Sequence, residues 1–337
     1  MKKYNLLILT DHLSHHPTNS VYALARALRL DERCGVCWVC SRGLPMNEMF
    51  FKGNPNGGIF GNWITLDFEY DKHGFFFQKN LEEIDPRQVD VVLIRLPQPA
   101  NVPFLLSLSA LFSNKPIVNS PEGILETSSK EYLLQLQDLC PPVKLCNSLQ
   151  EAIELSHQYE IVLKPLYSFG GHGLMRLSVE WCWNGDERLP ISDVRHVFSK
   201  TQFPMLAMQY LKNVVMGDKR TIVANKKILG AAIRMPAEGH WICNVAQGGH
   251  ALSATPDEDE MKMEAILTPL LYQKGIVLYG FDTLVDDNGK RVLSEINTMS
   301  VGGLLPLQEM MNSPVVNNAA QGILDYVDTY YAKFIKG

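Results

Sequence analysis

Alternating apolar and polar stretches divide the first third of the chain into strands, loops and helices. Short, nearly continuous apolar runs predict buried strands over residues 4–10, 36–40 and 89–97. Between the first two strands, Ser20 follows a polar loop and is predicted to cap a helix that runs to Leu30. This strand–loop–helix–strand order is typical of a parallel, doubly wound α/β sheet.

The remainder of the chain shows more strands with few helices between them. A Gly- and Asn-rich loop is predicted over 52–62, a short strand over 115–121 and a helix over 128–139. Further apolar runs predict strands over 160–166, 174–177, 205–211, 219–224 and 227–234, and a pair of strands within 278–297. We therefore predict a domain boundary near residue 118 and a largely antiparallel α+β region beyond it.

Composition narrows the class of protein. The 337 residues are 46% hydrophobic and 20% charged, which allows a sizeable core and two or three domains. The net charge of −5 argues against a nucleic-acid surface, which needs a basic stripe. The N-terminal apolar run is too short for a signal peptide, and the longest one, 102–112, is too short to span a membrane. We expect a cytoplasmic protein that binds neither membranes nor nucleic acids.

Seven cysteines without a framework spacing are typical of free thiols in a reducing compartment. Cys34, Cys37 and Cys40 lie close together in sequence, but a metal cluster would need a fourth ligand at a matching spacing. A buried strand is the favoured interpretation of this segment.

The segment before residue 297 predicts a hairpin with acidic residues facing each other. D-N-G-K at 287–290 is a turn signal between two β-rich runs. If residue 286 pairs with 291, Asp282 lies opposite Glu295, and Asn297 shares their face. Opposed carboxylates repel unless a cation lies between them, and Mg²⁺ prefers such oxygen ligands. With the register assumed, a magnesium site and a solvated face with salt bridges are about equally favoured.

Two further features suggest an anionic ligand. Lys164 precedes a glycine loop, S-F-G-G-H-G, which matches neither a P-loop nor a dinucleotide fingerprint and is more often an ordinary turn. G-D-K-R at 217–220 and Arg234 then precede the Gly-rich stretch 244–250, a candidate lid. Each feature alone is compatible with solvent-exposed charge.

Taken in order, the motifs K-P-L-x(3)-G-G-x-G, Q-Y-L, G-D-K-R, R-x-P-x(7)-N-x(3)-G-G and G-x-D…E-I-N-x(2)-S resemble the ATP-grasp superfamily. Bacterial glutathione synthetases are the most similar members, and ribosomal-protein glutamate ligases share several pieces. The resemblance implies a Rossmann-like pre-ATP-grasp domain over 1–118, a small ATP-grasp subdomain with the glycine loop over 119–200, and a C-terminal subdomain with the metal site over 201–337.

The resemblance also implies roles for individual residues. ATP would be bound by Lys130, Lys164, Gly170, Gly171, Gly173, Gln209, Tyr210, Leu211 and Asp218. Mg²⁺ (or Mn²⁺) would be held by Asp282, Glu295 and Asn297. Catalytic side chains near the phosphates would be Lys219, Arg220 and Arg234, and substrate-binding ones Arg95, Ser20, Asn244 and Ser300.

Two segments depart from the family pattern. Ile242 stands where these synthetases carry an arginine in the mobile loop, and S-V-G-G-L-L-P replaces S-P-T with a nearby arginine after E-I-N. Both segments would approach the substrates, so the resemblance does not carry glycine and γ-glutamylcysteine over to this chain.

The expected activity is that of an ATP-dependent carboxylate–amine ligase that acts on small molecules through an acylphosphate. Assembly into a homo-oligomer is left open. Two alternatives remain at this stage. One is a nucleotide-binding protein of the same fold without ligase activity, and the other is an ATP-grasp kinase that stops at phosphoryl transfer.

Overall fold

The computed structural model describes residues 2–99, 101–185, 187–194, 198, 203–243 and 250–335. Within these residues the strands form three sheets that follow one another along the chain. No helix in this described part is long and apolar enough to cross a membrane.

The first sheet has the order β4-β3-β2-β1-β5-β6. Its strands are β1 (Tyr4–Thr10), β2 (Cys34–Ser41), β3 (Phe60–Trp63), β4 (Glu82–Glu83), β5 (Val91–Ile94) and β6 (Ile117–Val118). Strands β2, β1, β5 and β6 are parallel, as the apolar runs predicted, while β3 and β4 extend one edge antiparallel. The associated helices are α1 (Ser20–Leu30), α2 (Glu48–Phe51) and α3 (Val102–Leu111).

Two local predictions in this region are wrong. Asn19, not Ser20, caps α1, because its side chain accepts a hydrogen bond from the Val21 amide. The hydroxyl of Ser20 instead accepts from the amide of Leu305, 3.2 Å away. The loop predicted to extend to residue 62 ends at Phe60, where β3 begins.

The cysteine-rich segment forms β2. Cys34, Cys37 and Cys40 are buried there as free thiols. In the part of the chain that the structure describes, no group of three or more His, Cys, Asp or Glu side chains could hold a metal ion.

The second sheet is antiparallel and has the order β11-β10-β9-β8-β12-β7. Its strands are β7 (Val143–Cys146), β8 (Ile161–Pro165), β9 (Met175–Leu177), β10 (Trp181–Asn184), β11 (Glu187–Pro190) and β12 (Met205–Gln209). Helices α4 (Pro121–Thr127) and α5 (Leu149–Ser156) and a 3₁₀ helix (Lys130–Leu139) accompany it. Because β12 pairs with β8, we propose to move the boundary predicted after residue 200 to follow residue 209.

The third sheet is also antiparallel, with the order β15-β14-β13-β16-β17. Its strands are β13 (Asp218–Ala224), β14 (Lys227–Met235), β15 (His250–Ala254), β16 (Leu278–Val285) and β17 (Arg291–Asn297). The last helices are α6 (Glu258–Gln273), α7 (Leu304–Met311) and α8 (Val315–Ile335). Helix α8 packs against α1, so the end of the chain shares a core with its beginning.

Candidate functional site

A cavity of about 810 Å³ lies where elements of all three sheets meet. Its wall includes the loop after β1, the end of β5, the glycine loop between β8 and β9, and one face of β13, β14, β16 and β17. The carboxyl ends of parallel strands are where open α/β sheets bind ligands, and Arg95 follows β5 at such an end.

The acidic hairpin contributes one face of this cavity. Asp282 lies directly opposite Glu295, as predicted, but the register that brings them together is different. Near the turn, Arg291 pairs with Val285 and not with residue 286, so the register there differs from the prediction by one residue. A register shift between Asp282 and Thr283 cancels this difference, and Asp282 therefore pairs with Glu295. A β-bulge at Ser294 therefore turns Leu293 into the core and Glu295 toward the cavity.

Two arginines neutralise Asp282, which is 1% exposed. Arg220 donates to both of its carboxylate oxygens at 2.7 Å, and Arg234 donates to one of them at 2.8 Å. Burial opposes the charged form of Asp282, but these guanidinium groups hold its pKa below the usual range. Asn297 adds a longer contact of 3.4 Å from its amide nitrogen.

Asp218 and Arg234 form a second ion pair on the same face. The guanidinium of Arg234 donates to both carboxylate oxygens of Asp218 at 2.6 Å. Arg234 thus bridges Asp218 and Asp282. Asp218, which was predicted to bind ATP, and Arg234, which was predicted to act near the phosphates, both line the cavity, and their roles stay predictions.

Lys219 does not reach the cavity. Strand side chains alternate, so Lys219 points to the opposite face of β13 from Asp218 and Arg220. Its ammonium group donates to Glu260 at 2.5 Å and to Asp257 at 3.1 Å behind the sheet. The resemblance implied a catalytic role for Lys219 beside Arg220, but the structure gives Lys219 a buried ion pair with Glu260 instead.

Lys130 and Lys164 approach the acidic hairpin from the second sheet. The ammonium group of Lys130 lies 3.3 Å from Glu295 and also donates to the carbonyl of Ser168 in the glycine loop. Lys164 donates to the carbonyl of Ser294 at 2.9 Å. Burial lowers the pKa of Lys164, and the nearby Glu295 carboxylate partly offsets that effect.

The glycine loop and the segment after β12 form the remaining wall. Gly170 and Gly171 line the cavity with positive φ angles of 69° and 76°, a conformation that glycine adopts without steric cost. Gly173 lies beside Pro165 rather than in the wall. Gln209, Tyr210 and Leu211 line the cavity together, and the Arg176 guanidinium stacks on the Tyr210 ring at 3.7 Å.

The structure places three of the four predicted substrate-binding residues in the cavity wall. Arg95 and Ser300 line the cavity, and Ser20 does so while bonded to α7. Asn244 lies outside the described residues. The ring of His15 lines the same wall and is hydrogen-bonded to Thr10 and Tyr22 at 2.8 Å each. No motif marked that arrangement, because it depends on tertiary contacts.

The hairpin suits a hard divalent cation by its chemistry. Asp282, Glu295 and Asn297 supply two carboxylates and an amide on one cavity face, the oxygen donors that Mg²⁺ prefers. The two oxygens of Asp282 are occupied by guanidinium groups here, so a bound cation would compete with Arg220 and Arg234 for them.

Comparison with known proteins supports one family. A model of the prokaryotic glutathione synthetase ATP-grasp domain matches residues 129–312, more than half of the chain. The chain is 28% identical to a glutathione synthetase of Brucella melitensis over 229 residues, covering 66% of this chain and 70% of that protein. It is 26% identical to a glutathione synthetase of Mesorhizobium japonicum over 267 residues, covering 78% and 82%.

Solved structures share the fold at low sequence identity. The D-cycloserine synthetase DcsG aligns with a TM-score of 0.62 and 12% identity, covering 96% of this chain and 99% of that one. D-alanyl-alanine synthetase A of Vibrio cholerae aligns with a TM-score of 0.61 and 13% identity, covering 98% and 99%. The ATP-grasp ligase PsnB, solved with Mg and ADP, aligns with a TM-score of 0.57 and 13% identity, covering 96% of this chain and 99% of that one.

The fold and its cavity define an ATP-grasp enzyme, a member of a class of ATP-dependent ligases that form amide bonds. Within that class, the chain belongs to the prokaryotic glutathione synthetase family.

Proposed function

We propose that this enzyme joins the carboxylate of one small molecule to the amine of another through an acylphosphate, converting ATP to ADP and phosphate. One observation carries the proposal. Opposed Asp282 and Glu295 share a cavity wall with Lys130 and Arg220, so acidic and basic groups converge where a triphosphate and its cation would bind.

We assign nucleotide binding to the second sheet and the segment that follows it. Gln209, Tyr210 and Leu211 would hold the adenine, and Lys130 and Lys164 would neutralise phosphate charge. Gly170 and Gly171 would let backbone amides approach the phosphates. When bound by Asp282, Glu295 and Asn297, Mg²⁺ or Mn²⁺ would supply charge stabilisation between the phosphates.

The proposed reaction has two steps. An oxygen of the substrate carboxylate attacks the γ-phosphorus, the bond to the β-phosphate oxygen breaks, and ADP leaves. The amine nitrogen then attacks the acyl carbon, the bond to the phosphate oxygen breaks, and phosphate leaves as nitrogen loses a proton. Arg220 and Arg234 are suited to stabilise the negative charge that develops on the transferred phosphoryl group.

Further parts of the assignment rest on sequence and composition. We propose a cytoplasmic location, consistent with seven free cysteines. We also propose small-molecule substrates and keep assembly as a homo-oligomer as a hypothesis. The domain boundaries after residues 118 and 209 belong to the same proposal, each following the last strand of a sheet.

Hydroxylamine trapping tests the proposal against its alternatives. With ATP, Mg²⁺ and a panel of carboxylic acids, a ligase yields a hydroxamate together with ADP, because hydroxylamine attacks the acylphosphate. A kinase that phosphorylates another group releases ADP without hydroxamate. ATP binding without ADP release across the panel would contradict ligase activity.

Glu295→Gln tests the acidic hairpin in the same assay. The substitution keeps the shape of the side chain but removes a cavity charge, and we expect kcat to fall by about 100-fold or more. Glu309→Gln, on the exposed side of α7, serves as a matched control. Equal activity of the two variants, with unchanged thermal stability, would rule out a role for Glu295 in turnover.

A further inference from the structure

Arg176 lies behind the segment that is proposed to hold the adenine. It belongs to β9, its side chain is 20% exposed, and its guanidinium carbon lies 3.7 Å from the centre of the Tyr210 ring. The ring of Trp183 lies 4.4 Å from the same carbon. The guanidinium therefore contacts two aromatic rings, and one of them, Tyr210, belongs to the cavity wall.

Glu160 fixes the orientation of this guanidinium. Two nitrogens of Arg176 donate to the two carboxylate oxygens of Glu160, at 2.9 and 3.0 Å. A bidentate pair sets the plane of the guanidinium as well as its position. The backbone carbonyl of Glu160 also accepts a hydrogen bond from the Tyr210 amide at 2.8 Å. Glu160 thus holds Tyr210 twice, directly at the backbone and through Arg176 at the ring.

This contact is one end of a row of stacked cations and rings that crosses the second sheet. Arg176 and Trp183 are cross-strand partners, and so are Trp183 and Arg188. The Arg188 guanidinium lies 5.4 Å from the Trp183 ring and 3.7 Å from the Trp181 ring. Arg188 is exposed and lies on β11, two strands beyond β9. The row therefore contains two arginines that contact Trp183, and Arg176 is the one that reaches Tyr210.

We propose that Arg176 is a positioning residue for the nucleotide. It holds the Tyr210 ring, and with it the segment 209–211, in the orientation that binds the adenine. Arg176 lies outside the cavity wall and acts through Tyr210. This inference rests on the proposed binding of ATP by that segment.

The energetic argument concerns the state of the site before ATP arrives. A ring that is already held in place loses less conformational freedom when a ligand binds, so the affinity for the ligand is higher. A partly shielded contact between a cation and an aromatic ring is strong enough to change an affinity by about tenfold. The loss of Arg176 should therefore weaken the binding of ATP and leave the chemical steps unchanged.

The first experiment measures the binding of Mg·ATP by titration calorimetry. We expect Arg176→Met to weaken the affinity about tenfold, whereas Arg188→Met, which removes the other guanidinium from Trp183, should leave it within twofold. Glu160→Gln keeps the backbone contact with Tyr210 but removes the carboxylate that orients the guanidinium, so it should also weaken the affinity. Thermal melts confirm that the variants fold, and Glu160→Gln tests the proposal even where Arg176→Met folds poorly.

The second experiment separates binding from turnover. In the hydroxamate assay, the KM for ATP of Arg176→Met should rise about tenfold, while kcat at saturating ATP should stay within twofold of the wild type. A general distortion of the site would lower kcat as well.

The third experiment tests whether Arg176 acts through its two contacts. In a Tyr210→Leu background the ring is absent, so adding Arg176→Met should cause no further loss of affinity for Mg·ATP. The double variant Glu160→Gln/Arg176→Met leaves Tyr210 in place and should bind Mg·ATP as Arg176→Met does. Independent structural effects would instead multiply in the double variants.

The outcomes separate this inference from the ligase assignment. Unchanged affinity in Arg176→Met and Glu160→Gln, an equal loss in Arg188→Met, a loss of kcat, or losses that multiply in the double variants would overturn the positioning role and leave the ligase function standing. Failure of the wild type to bind Mg·ATP would overturn the proposed function and the inference with it.

Discussion

Lys219 and Arg220 are neighbours in the chain, yet they serve opposite sides of the third sheet. Arg220 faces the cavity and Asp282, whereas Lys219 is buried against Glu260, which is fully buried. The G-D-K-R motif marked both as basic residues near the site. Their side chains point to opposite faces because side chains alternate along a strand. Which of the two faces the cavity is set by the tertiary packing of the sheet.

This separation predicts opposite phenotypes for two matched substitutions. Lys219→Met leaves Glu260 charged and buried without its ammonium partner, so the free energy of unfolding should fall by about 3–5 kcal/mol. Arg220→Met leaves Arg234 paired with Asp282 but removes a cavity cation, so it should lower kcat by about 100-fold or more. Urea unfolding and hydroxamate assays distinguish the two. A stable, inactive Lys219→Met would place Lys219 in the reaction after all.

His15, in the cavity wall, should make the free energy of unfolding depend on pH in the acid range. Burial lowers its pKa to about 4, below the ordinary value of 6.5, and neighbouring His12 acts in the same direction. The folded protein therefore binds fewer protons at this ring than the unfolded chain does. The stabilisation is complete above about pH 6.5 and is lost as pH falls toward 4, amounting to up to about 3 kcal/mol.

His15→Gln should flatten this dependence. The free energy of unfolding of the wild type should fall more steeply than that of the variant between pH 6.5 and 4, as measured by urea denaturation. His157→Gln, at an exposed position after α5 and outside the cavity wall, should retain the wild-type slope. Parallel curves for His15→Gln and the wild type would show that the ring does not titrate differently on unfolding.

At the scale of elements, Asn119 connects the first sheet to the third. Its side chain donates to the carbonyls of Leu278 and Thr298 at 2.7 and 2.6 Å, and it accepts from the amides of Val277 and Leu278 at 2.7 and 2.9 Å. One side chain thus fixes the end of β6 against the start of β16 and the segment that follows β17.

Asn119→Ala should destabilise the protein strongly, because it leaves four buried backbone groups without partners. We expect a loss of about 3 kcal/mol or more in the free energy of unfolding, measured in urea. Asn318→Ala, on the exposed face of α8, should change it by less than about 1 kcal/mol. A loss for Asn119→Ala no larger than for the control would mean that these contacts are absent in solution.

The acidic hairpin shows how far pattern reading extends at this scale. The turn signal and the alternation of β17 were enough to predict that Asp282 faces Glu295. The bulge between them was not predictable, because nothing in V-L-S-E-I-N marks an extra residue. The turn is one residue longer than predicted, and the bulge shifts the register back by one residue. The predicted pairing of Asp282 with Glu295 is therefore correct.

For the whole molecule, ordered motifs were sufficient to predict the fold class and the family. The parallel first sheet and most later strands followed from apolar runs, and the family model confirms the resemblance. Strands β10, β11 and β15 lacked a clear pattern, since few of their side chains are buried. The contact between the buried Arg95 side chain and the carbonyl of Val301 depends on tertiary structure, because the two residues lie far apart in the chain.

We propose that a substrate carboxylate becomes an acylphosphate in this cavity. The most direct measurement supplies the acyl substrate with ¹⁸O in its reacting carboxylate and determines the isotope content of the released phosphate by mass spectrometry. We expect each amide bond formed to transfer one ¹⁸O atom to phosphate, and Glu295→Gln to suppress product and labelled phosphate together. Amide formation with unlabelled phosphate would contradict it.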